Sequence, residues 1–403
     1  MSLVSRRTVL ALAAGGAAAS AMPQAAQARS AARSAPFRLT LPEPTGRYPI
    51  GTTALHLTDA ARKDPWTPVV RRELMVSVWY PAFPVGPRAP YAPSRSAGPL
   101  AADVSGTLGL PAGSIDYAGT PTHAHADAPA LGHHPVVLYS PGAGTSRILG
   151  THHVEDLASR GYVVVAIDHT GEAPVEFPGG RVAPVVADSN NPRRTVAVRV
   201  ADIRFVLDSL ADLAESEEAP GRLARALDLR RIGMLGYSQG GFAAAETMLQ
   251  DHRIRAGVNL DGTLQYGFPD GELSESAKQG IDRPFLLFGA QGHAHVPNPE
   301  SPLNDPSWTS FWNAQSGWKL DLEIPTGTHG SFADYQFSVP AIAAKFGLPP
   351  AQIAGLLGTV DPAASIRAQR AYLGAFFDQF LRKQPQPLLR RASPKYPQVI
   401  FHP

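Results

Sequence analysis

From residue 135 onward, short and mostly apolar runs alternate with longer amphipathic segments. Apolar runs of this length without a polar face are typical of strands buried on both faces of a parallel sheet. In the segments 196–213 and 364–381, apolar residues recur at helical spacing. The alternation predicts an α/β fold, with a mostly parallel central sheet covered by helices on both faces. The predicted core strands are 135–139, 162–167, 232–235, 256–260, 284–288 and 320–324.

Two further strands are predicted nearer the start of the chain, at residues 51–57 and 73–80. In the second stretch every other residue is apolar, which is typical of a strand whose alternate side chains face one way. We expect the two stretches to form an antiparallel edge of the sheet. The alternating residues of the second stretch are Leu74, Val76, Val78 and Tyr80.

The stretch between residues 81 and 134 is rich in proline and glycine. Such clusters are typical of surface loops. The sequence therefore predicts a long loop excursion from a single domain that spans residues 29–403.

The first 28 residues have the layout of an export signal. Arg6 and Arg7 precede an apolar, alanine-rich run, and Ala26 and Ala28 provide a small-residue cleavage site. The run is only about a dozen residues long, whereas a membrane-spanning helix needs about 20, so a membrane anchor is the weaker interpretation. The arginine pair favours the twin-arginine route, and we expect the mature protein to be secreted.

Composition narrows the classes of function. A hydrophobic fraction of 44% supports a sizeable core, and a net charge of +2 gives no indication of a nucleic-acid partner. The chain has no cysteine, which excludes a thiol nucleophile and cysteine-ligated zinc. Two His-Ala-His triplets, at 123–125 and 293–295, have no carboxylate cluster beside them. We therefore predict no metal site and no cofactor.

A nucleophile motif stands between a predicted strand and a helix-forming run. Residues 236–240 read Gly-Tyr-Ser-Gln-Gly, directly after the apolar run 232–235. Strand, sharp turn and helix form a nucleophile elbow, in which the serine hydroxyl is exposed above the sheet. The motif alone is weak, and a glycine-rich loop that binds phosphate is the alternative interpretation. The partners that follow in the chain favour Ser238 as a nucleophile.

A serine hydroxyl needs a general base, and histidine suits that role near neutral pH. In the fold with this elbow, the chain order is serine, acid, histidine. Of the 13 histidines, His329 lies in the loop after the last predicted core strand, where that fold carries its base. We therefore predict His329 as the base. The other histidines that follow the serine are His252, His293, His295 and His402.

A carboxylate must hold the histidine ring in the correct tautomer. Most enzymes of this fold place it after the strand before last, but no carboxylate follows the run 284–288 until Glu300. Asp261 comes directly after the run 256–260, at the edge of the sheet where ligand sites form. We predict Asp261 as the acid, with a turn or helix-capping role as the alternative. Asp305 is the second candidate acid.

The loop after the first core strand is predicted to complete the site. A carbonyl group under attack develops negative charge on its oxygen, and two N–H donors must stabilise that charge. One donor is expected from the amide of Gln239, and the other from the loop 140–144, Ser-Pro-Gly-Ala-Gly. We predict Ala143 as the second donor, with Gly142 as the alternative. A turn that only links strand to helix is the plainer interpretation of this loop.

Four motifs, taken together, resemble the plasma-type platelet-activating-factor acetylhydrolase family. The resemblance covers most of the mature chain, from residues 44–46 and 79–81 to His329 and beyond. The four motifs are residues 140–144 (SPGAG), 236–241 (GYSQGG), 259–262 (NLDG) and 328–334 (THGSFAD).

The resemblance implies an α/β-hydrolase fold, Ser–Asp–His chemistry without a metal, and an acid in the position of Asp261. It also implies cleavage of short or oxidised acyl chains from phospholipids, or of simple esters, and secreted polyester-cleaving hydrolases look related. Two positions depart from the family: Pro141 precedes Gly142 where histidine is frequent, and Tyr237 stands where histidine or tryptophan is frequent. The resemblance implies that both line the mouth of the site, so we expect them to bear on the substrate rather than on the reaction.

We therefore expect a serine ester hydrolase that releases short acyl chains from phospholipid-like or simple esters. The alternatives are a general carboxylesterase, lipase or polyester hydrolase, and a secreted binding protein without catalysis. Gly142, Tyr237 and His293 are predicted to contact the substrate.

The apolar segment 337–360, interrupted by three prolines, follows His329. We expect short helices there. They form either a packing layer on the sheet or a lid that grips acyl chains or transiently touches a lipid surface.

Overall fold

The computed structural model describes residues 35–216, 220–267, 271–297 and 305–402 of the 403-residue chain. The predicted export signal, residues 1–28, lies outside these ranges. The described residues contain a sheet of eleven strands and two short ribbons. The strands are β1 (Ile50–Lys63), β2 (Arg71–Pro81), β3 (Arg88–Pro90), β4 (Pro121–Ala126), β5 (His134–Ser140), β6 (Val163–Asp168), β7 (Val175–Glu176), β8 (Val182–Ala183), β9 (Leu227–Tyr237), β10 (Ile254–Leu260), β11 (Gln265–Tyr266), β12 (Glu272–Leu273), β13 (Phe285–Ala290), β14 (Lys319–Ile324) and β15 (Ile400–His402).

The centre of the large sheet is parallel, with the strand order β14-β13-β10-β9-β5-β6. These six strands are those predicted from the short apolar runs. Their side chains alternate between two buried layers: Val136 and Leu138 of β5 pack on one face, and Val137 and Tyr139 on the other. The mostly parallel sheet with both faces covered confirms the predicted fold class.

Helices cover both faces of this sheet. One face packs against α3 to α7, and the opposite face packs against α2 and α10. The helix α3 begins where the side chain of Asn191 accepts a hydrogen bond from the amide of Arg194, with Pro192 in the first turn. The helices are α1 (Ala97–Thr107), α2 (Thr151–Ser159), α3 (Pro192–Glu215), α4 (Leu223–Ala226), α5 (Gln239–Gln250), α6 (Glu275–Gln279), α7 (Pro306–Ala314), α8 (Tyr335–Phe346), α9 (Pro350–Leu357) and α10 (Pro362–Leu381). The short 3₁₀ helices are Arg147–Gly150, Pro178–Gly180, Pro220–Arg222, His329–Phe332 and Pro387–Leu389.

The early strands pair as predicted but do not end the sheet. β2 is antiparallel to both β6 and β1, and its residues Leu74, Val76, Val78 and Tyr80 all face one core layer. β4 and β3 then continue the sheet beyond β1. The edge therefore lies at β3 rather than at the two early strands.

The region 81–134 is more ordered than the predicted surface loop. It contains β3, α1 and β4. Leu100 and Val104 of α1 are buried against Leu39 and Tyr91 in a third apolar cluster, beside the sheet. The prediction of a loop was wrong here because frequent prolines and glycines at the ends of these short elements conceal their apolar positions.

The segment 337–360 forms α8 and α9, and Pro340 lies inside α8. Phe337, Ile342 and Leu357 are buried in the third cluster together with residues of α1. These contacts are those of a packing layer, although the layer lies against α1 rather than directly on the sheet. Within the described ranges, none of the helices is long and apolar enough to cross a membrane.

Candidate active site

The serine at the end of β9 stands in a strained turn. Ser238 lies between β9 and α5 with φ 54° and ψ −125°, a conformation that costs a residue with a side chain about 1–3 kcal/mol. The turn is so tight that a Cβ at Gly236 would lie 2.0 Å from the carbonyl oxygen of Gly240. The two glycines of the motif therefore allow β9 and α5 to meet, and the turn presents the serine side chain at the carboxyl edge of the sheet.

Three predicted site residues meet at this edge. His329 Nε2 lies 2.9 Å from Ser238 Oγ, and His329 Nδ1 lies 2.6 Å from Asp261 Oδ2. The three residues come from the ends of β9, β10 and β14, neighbouring regions of the parallel sheet, so their side chains converge. The His329 side chain is 44% exposed, whereas that of Asp261 is 4% exposed.

Asp261 is held by donors on both of its oxygens. While Oδ2 accepts from His329, Oδ1 accepts from the backbone amide of Ala290 at 2.9 Å and faces Nδ1 of His293 at 3.0 Å. Burial alone would raise the pKa of Asp261, but His293 and His329 outweigh it and hold the pKa well below its usual range. Asp261 is therefore a carboxylate that can orient the His329 ring and stabilise its protonated form.

His293 lies behind Asp261 rather than at the mouth of the site. Its Nδ1 faces Asp261 and its Nε2 faces Asp305, each at 3.0 Å, while its ring stacks on Trp308 at 3.9 Å. With both nitrogens engaged and the residue buried, the ring is not placed for the predicted substrate contact. Asp305, the second candidate acid, is bonded to His293 and caps α7, so the structure does not bring it to His329.

The loop that carries His329 is anchored from two sides. The Tyr237 hydroxyl donates to the carbonyl oxygen of His329 at 3.1 Å, and the two rings are 5.0 Å apart. From α9, the carbonyl oxygens of Leu356 and Leu357 accept hydrogen bonds from the hydroxyls of Thr328 and Ser331. The segment 337–360 therefore supports the position of the histidine.

The predicted oxyanion loop lies close to the serine. A Cβ at Gly142 would be 3.4 Å from Ser238 Cβ and 3.0 Å from the Tyr237 ring. Ala143, next in the chain, is exposed. Gln239 is the first residue of α5, where amides have no partner within the helix and the helix dipole favours negative charge. The side-chain amide of Gln239 donates to Thr195 Oγ1 at 2.6 Å. Because the side chain is engaged there, the backbone amide is the group of Gln239 that can face an oxyanion.

Asn259 is a positioning residue that sequence reasoning did not identify. Its Nδ2 donates to the carbonyl oxygen of Gly262 at 2.6 Å and its Oδ1 accepts from the Gly262 amide at 2.9 Å. The indole of Trp308 donates to the same carbonyl. These bonds fix the turn in which Asp261 has φ 56°. The motif 259–262 contains Asn259, but nothing in its spacing shows that the side chain closes the turn.

The arrangement has the parts needed for acyl transfer from an ester. A hydroxyl is bonded to an imidazole, the imidazole to a carboxylate, and backbone amides lie close by. Within the described ranges, no group of three or more His, Asp or Glu side chains is placed to hold a metal ion. His295, the second histidine of its triplet, is bonded to Asp321 and stacked on Trp312.

Several known proteins similar to this chain are named esterases or acetylhydrolases. A probable 1-alkyl-2-acetylglycerophosphocholine esterase of Arthroderma benhamiae is 32% identical over 405 residues, covering 93% of this chain and 96% of the relative. A platelet-activating factor acetylhydrolase of Cavia porcellus is 22% identical over 271 residues, covering 62% and 58%. A solved ferulic acid esterase from Streptomyces cinnamoneus is 42% identical, with a TM-score of 0.72 and coverage of 89% and 98%. No protein-family model matches the chain.

The fold and these similarities define a serine carboxylic-ester hydrolase with the α/β-hydrolase fold. The match to the Arthroderma protein, which covers nearly the whole of both chains, identifies the family within this class. The chain belongs to the platelet-activating factor acetylhydrolase family, as the sequence motifs predicted.

Proposed function

We propose that Ser238, His329 and Asp261 act as nucleophile, general base and orienting acid in the hydrolysis of esters with short acyl groups. The observation that carries the proposal is the continuous hydrogen-bond chain, 2.9 Å from Ser238 Oγ to His329 and 2.6 Å from His329 to Asp261. A base within this distance can accept the hydroxyl proton as the serine attacks.

The reaction proceeds in two stages. Ser238 Oγ attacks the ester carbonyl carbon while His329 Nε2 takes the hydroxyl proton, and the amides of Ala143 and Gln239 stabilise the oxyanion. The C–O bond to the leaving alcohol then breaks, and His329 returns the proton to that alcohol. A water molecule attacks the acyl-serine by the same route, which releases the acid and restores Ser238.

The names of the similar proteins support a small acyl group. The Arthroderma and Cavia relatives are named for esterase activity on 2-acetyl or acetyl groups. The Streptomyces neighbour, named a ferulic acid esterase, supports a second candidate, in which the acid released is a phenolic cinnamic acid. The two candidates share the triad and differ in the shape of the acyl pocket.

Hydrolysis of a nitrophenyl ester series from acetyl to palmitoyl tests the proposal, with a 2-acetyl glycerophospholipid and methyl ferulate measured alongside. A preference for the shortest chains and the acetyl phospholipid, lost in Ser238→Ala, supports the first candidate. Preference for methyl ferulate supports the second candidate, and a broad or long-chain preference indicates a lipase or polyester hydrolase. Full activity in Ser238→Ala would overturn the triad.

For a lipid surface, we propose transient contact through the partly buried apolar residues of α9, Ile353 and Leu356. Cosedimentation with phosphatidylcholine vesicles tests this contact, with Ile353→Ser as the variant. Equal cosedimentation of the variant and the unchanged protein would contradict it.

For localisation, we propose export by the twin-arginine route, supported by the arginine pair that precedes an apolar run. Changing Arg6 and Arg7 together to lysine should retain the precursor inside the cell. Undiminished release of the double variant into the medium would contradict this route.

A further inference from the structure

Arg199, in the first half of α3, is a buried cation that the proposed mechanism does not use. Its side chain is 0% exposed. It forms a two-pronged pair with Glu172, from Nε at 2.8 Å and from Nη2 at 2.6 Å. Burial raises the pKa of Glu172 and Arg199 lowers it, and the balance lies below the usual value, so Glu172 is a carboxylate. A guanidinium with one carboxylate partner still has donors to direct elsewhere.

Those remaining donors are directed at the predicted oxyanion loop. Arg199 Nη1 donates to the carbonyl oxygen of Pro141 at 2.5 Å, and Nη2 donates to that of Gly142 at 2.9 Å. The Gly142 carbonyl also accepts from the hydroxyl of Thr145 at 2.9 Å and from its amide at 3.3 Å. One carbonyl therefore receives three donors, and the peptide that contains it is fixed in orientation.

The direction of a carbonyl determines the direction of the next amide. In a planar trans peptide, the C=O of one residue and the N–H of the following residue point in opposite directions. Because the Gly142 carbonyl points to the buried guanidinium, the Ala143 N–H points away from it, toward the exposed side of the loop. The same reasoning applies to the Pro141 carbonyl and the Gly142 N–H, so both candidate oxyanion donors are oriented by one side chain.

We infer that Arg199, supported by Glu172, is a positioning residue that orients the Gly142 and Ala143 amides for oxyanion stabilisation. This inference rests on the proposed function of the Ser238 site and adds the residue that prepares it. Glu172 also contacts the loop itself, since the Gly144 amide lies 3.5 Å from its Oε2. Without Arg199, the Gly142 carbonyl keeps only its two hydrogen bonds from Thr145, so its peptide can turn over more readily. The carbonyl oxygen of a peptide that has turned over would repel the oxyanion.

Arg199→Lys is the test, because an ammonium group keeps the charge but cannot bond two carbonyls and a carboxylate in one plane. We expect kcat for nitrophenyl acetate to fall about 10- to 100-fold, below the full cost of an oxyanion donor, because the amides remain present. KM and the acid limb of the pH profile should be unchanged, because Ser238, His329 and Asp261 are not altered.

Arg370→Lys is the matched control. Arg370 is also buried and also donates to backbone carbonyls, those of Pro42, Glu43 and His152, which lie outside the site. It should lower the unfolding midpoint as Arg199→Lys does, yet keep kcat within about threefold of the unchanged protein. An equal loss of kcat in both variants, or a rise in KM alone in Arg199→Lys, would overturn the inference.

Thr145→Val is a milder variant for the case in which Arg199→Lys does not fold. It removes one donor to the Gly142 carbonyl and keeps the size of the side chain, and we expect kcat to fall about 3- to 10-fold with the unfolding midpoint retained. An unchanged kcat in this variant would count against the inference. Ser238→Ala, measured in parallel, separates the two claims: if it retains activity, the proposed function fails, whatever Arg199→Lys shows.

Discussion

The acid of the site, Asp261, follows β10, and the loop after β13 supplies the histidine that supports it, His293. The usual place for the acid follows β13, where this chain has Gln291, Gly292 and His293 instead. The histidine at that place donates to the acid that follows β10. Because β10 and β13 are adjacent and parallel, their ends meet, and one loop supplies the carboxylate while the other supports it.

Substituting the two candidate acids separately distinguishes them. Asp261→Asn should lower kcat about 10³- to 10⁴-fold, because an amide at this position no longer favours the productive tautomer of His329. Asp305→Asn should lower kcat less than about tenfold, because Asp305 reaches the site only through His293. Steady-state kinetics with nitrophenyl acetate measure both, and a larger loss in Asp305→Asn would contradict the assignment.

The charge on His293 predicts a pH-dependent contribution to stability. Burial lowers the pKa of His293, but Asp261 and Asp305 outweigh it and raise the pKa from 6.5 to about 10. A histidine whose pKa is higher in the folded state stabilises the fold fully below pH 6.5 and loses that contribution as the pH rises toward 10. The difference in urea midpoint between the unchanged protein and His293→Gln should therefore shrink from pH 6.5 to pH 10.

Because the urea midpoints of the unchanged protein and His293→Gln are compared at the same pH, the effects of titrating groups that both proteins contain cancel in the difference. A difference that is constant or grows with pH would show that His293 is neutral in the folded protein.

The residues of the site differ in how far the sequence could predict them. Ser238, Asp261 and His329 follow from chain order because Ser238 and Asp261 come directly after strands of a parallel sheet and His329 lies in the loop that follows another. His293 and Asn259 could not be placed in this way, since their partners are set by how two loops pack. A histidine in a loop near the site can equally face the substrate or the carboxylate behind it.

At the scale of elements, the elbow depends on the close approach of β9 and α5. Gly236→Ala would place a Cβ 2.0 Å from a backbone oxygen that cannot move without shifting α5. We expect the free energy of unfolding to fall by about 1–3 kcal/mol, as in overpacked cores, and kcat to fall with it. Urea denaturation monitored by tryptophan fluorescence measures the first effect.

Gly106→Ala is the matched control for that substitution. Gly106 lies in α1, and a Cβ there would meet nothing within 4 Å. This variant should be more stable by about 0.5–1 kcal/mol, because alanine loses less backbone entropy in a helix. Equal destabilisation by the two substitutions would contradict the packing argument at the elbow.

The six central strands could be predicted because both of their faces are buried, which leaves mostly apolar runs in the sequence. β3, β4 and α1 could not, since short edge elements keep polar residues and begin or end at prolines such as Pro90 and Pro121. The segment 337–360 was predicted to be helical, but its support of the His329 loop depends on the carbonyls of Leu356 and Leu357. Every residue has a backbone carbonyl, so the sequence does not show which of them accept hydrogen bonds from another loop.

At the scale of the molecule, the two main apolar layers share the strands of one sheet, and the third cluster includes Ile148 and Leu149, which come just before α2. We predict that the chain from residue 29 unfolds as one domain. Loss of near-ultraviolet circular dichroism and loss of esterase activity should coincide on heating. Two separate transitions would instead show that α1, α8 and α9 form a unit of their own.

The central claim is that Ser238 is the nucleophile activated by His329, and covalent labelling tests it most directly. The protein would be treated with a fluorophosphonate and the modified peptide identified by mass spectrometry, with Ser238→Ala and His329→Ala alongside. We predict one adduct, at Ser238, absent in Ser238→Ala and formed at least about 100-fold more slowly in His329→Ala. An adduct at another residue, or rapid labelling of Ser238 without His329, would contradict the account.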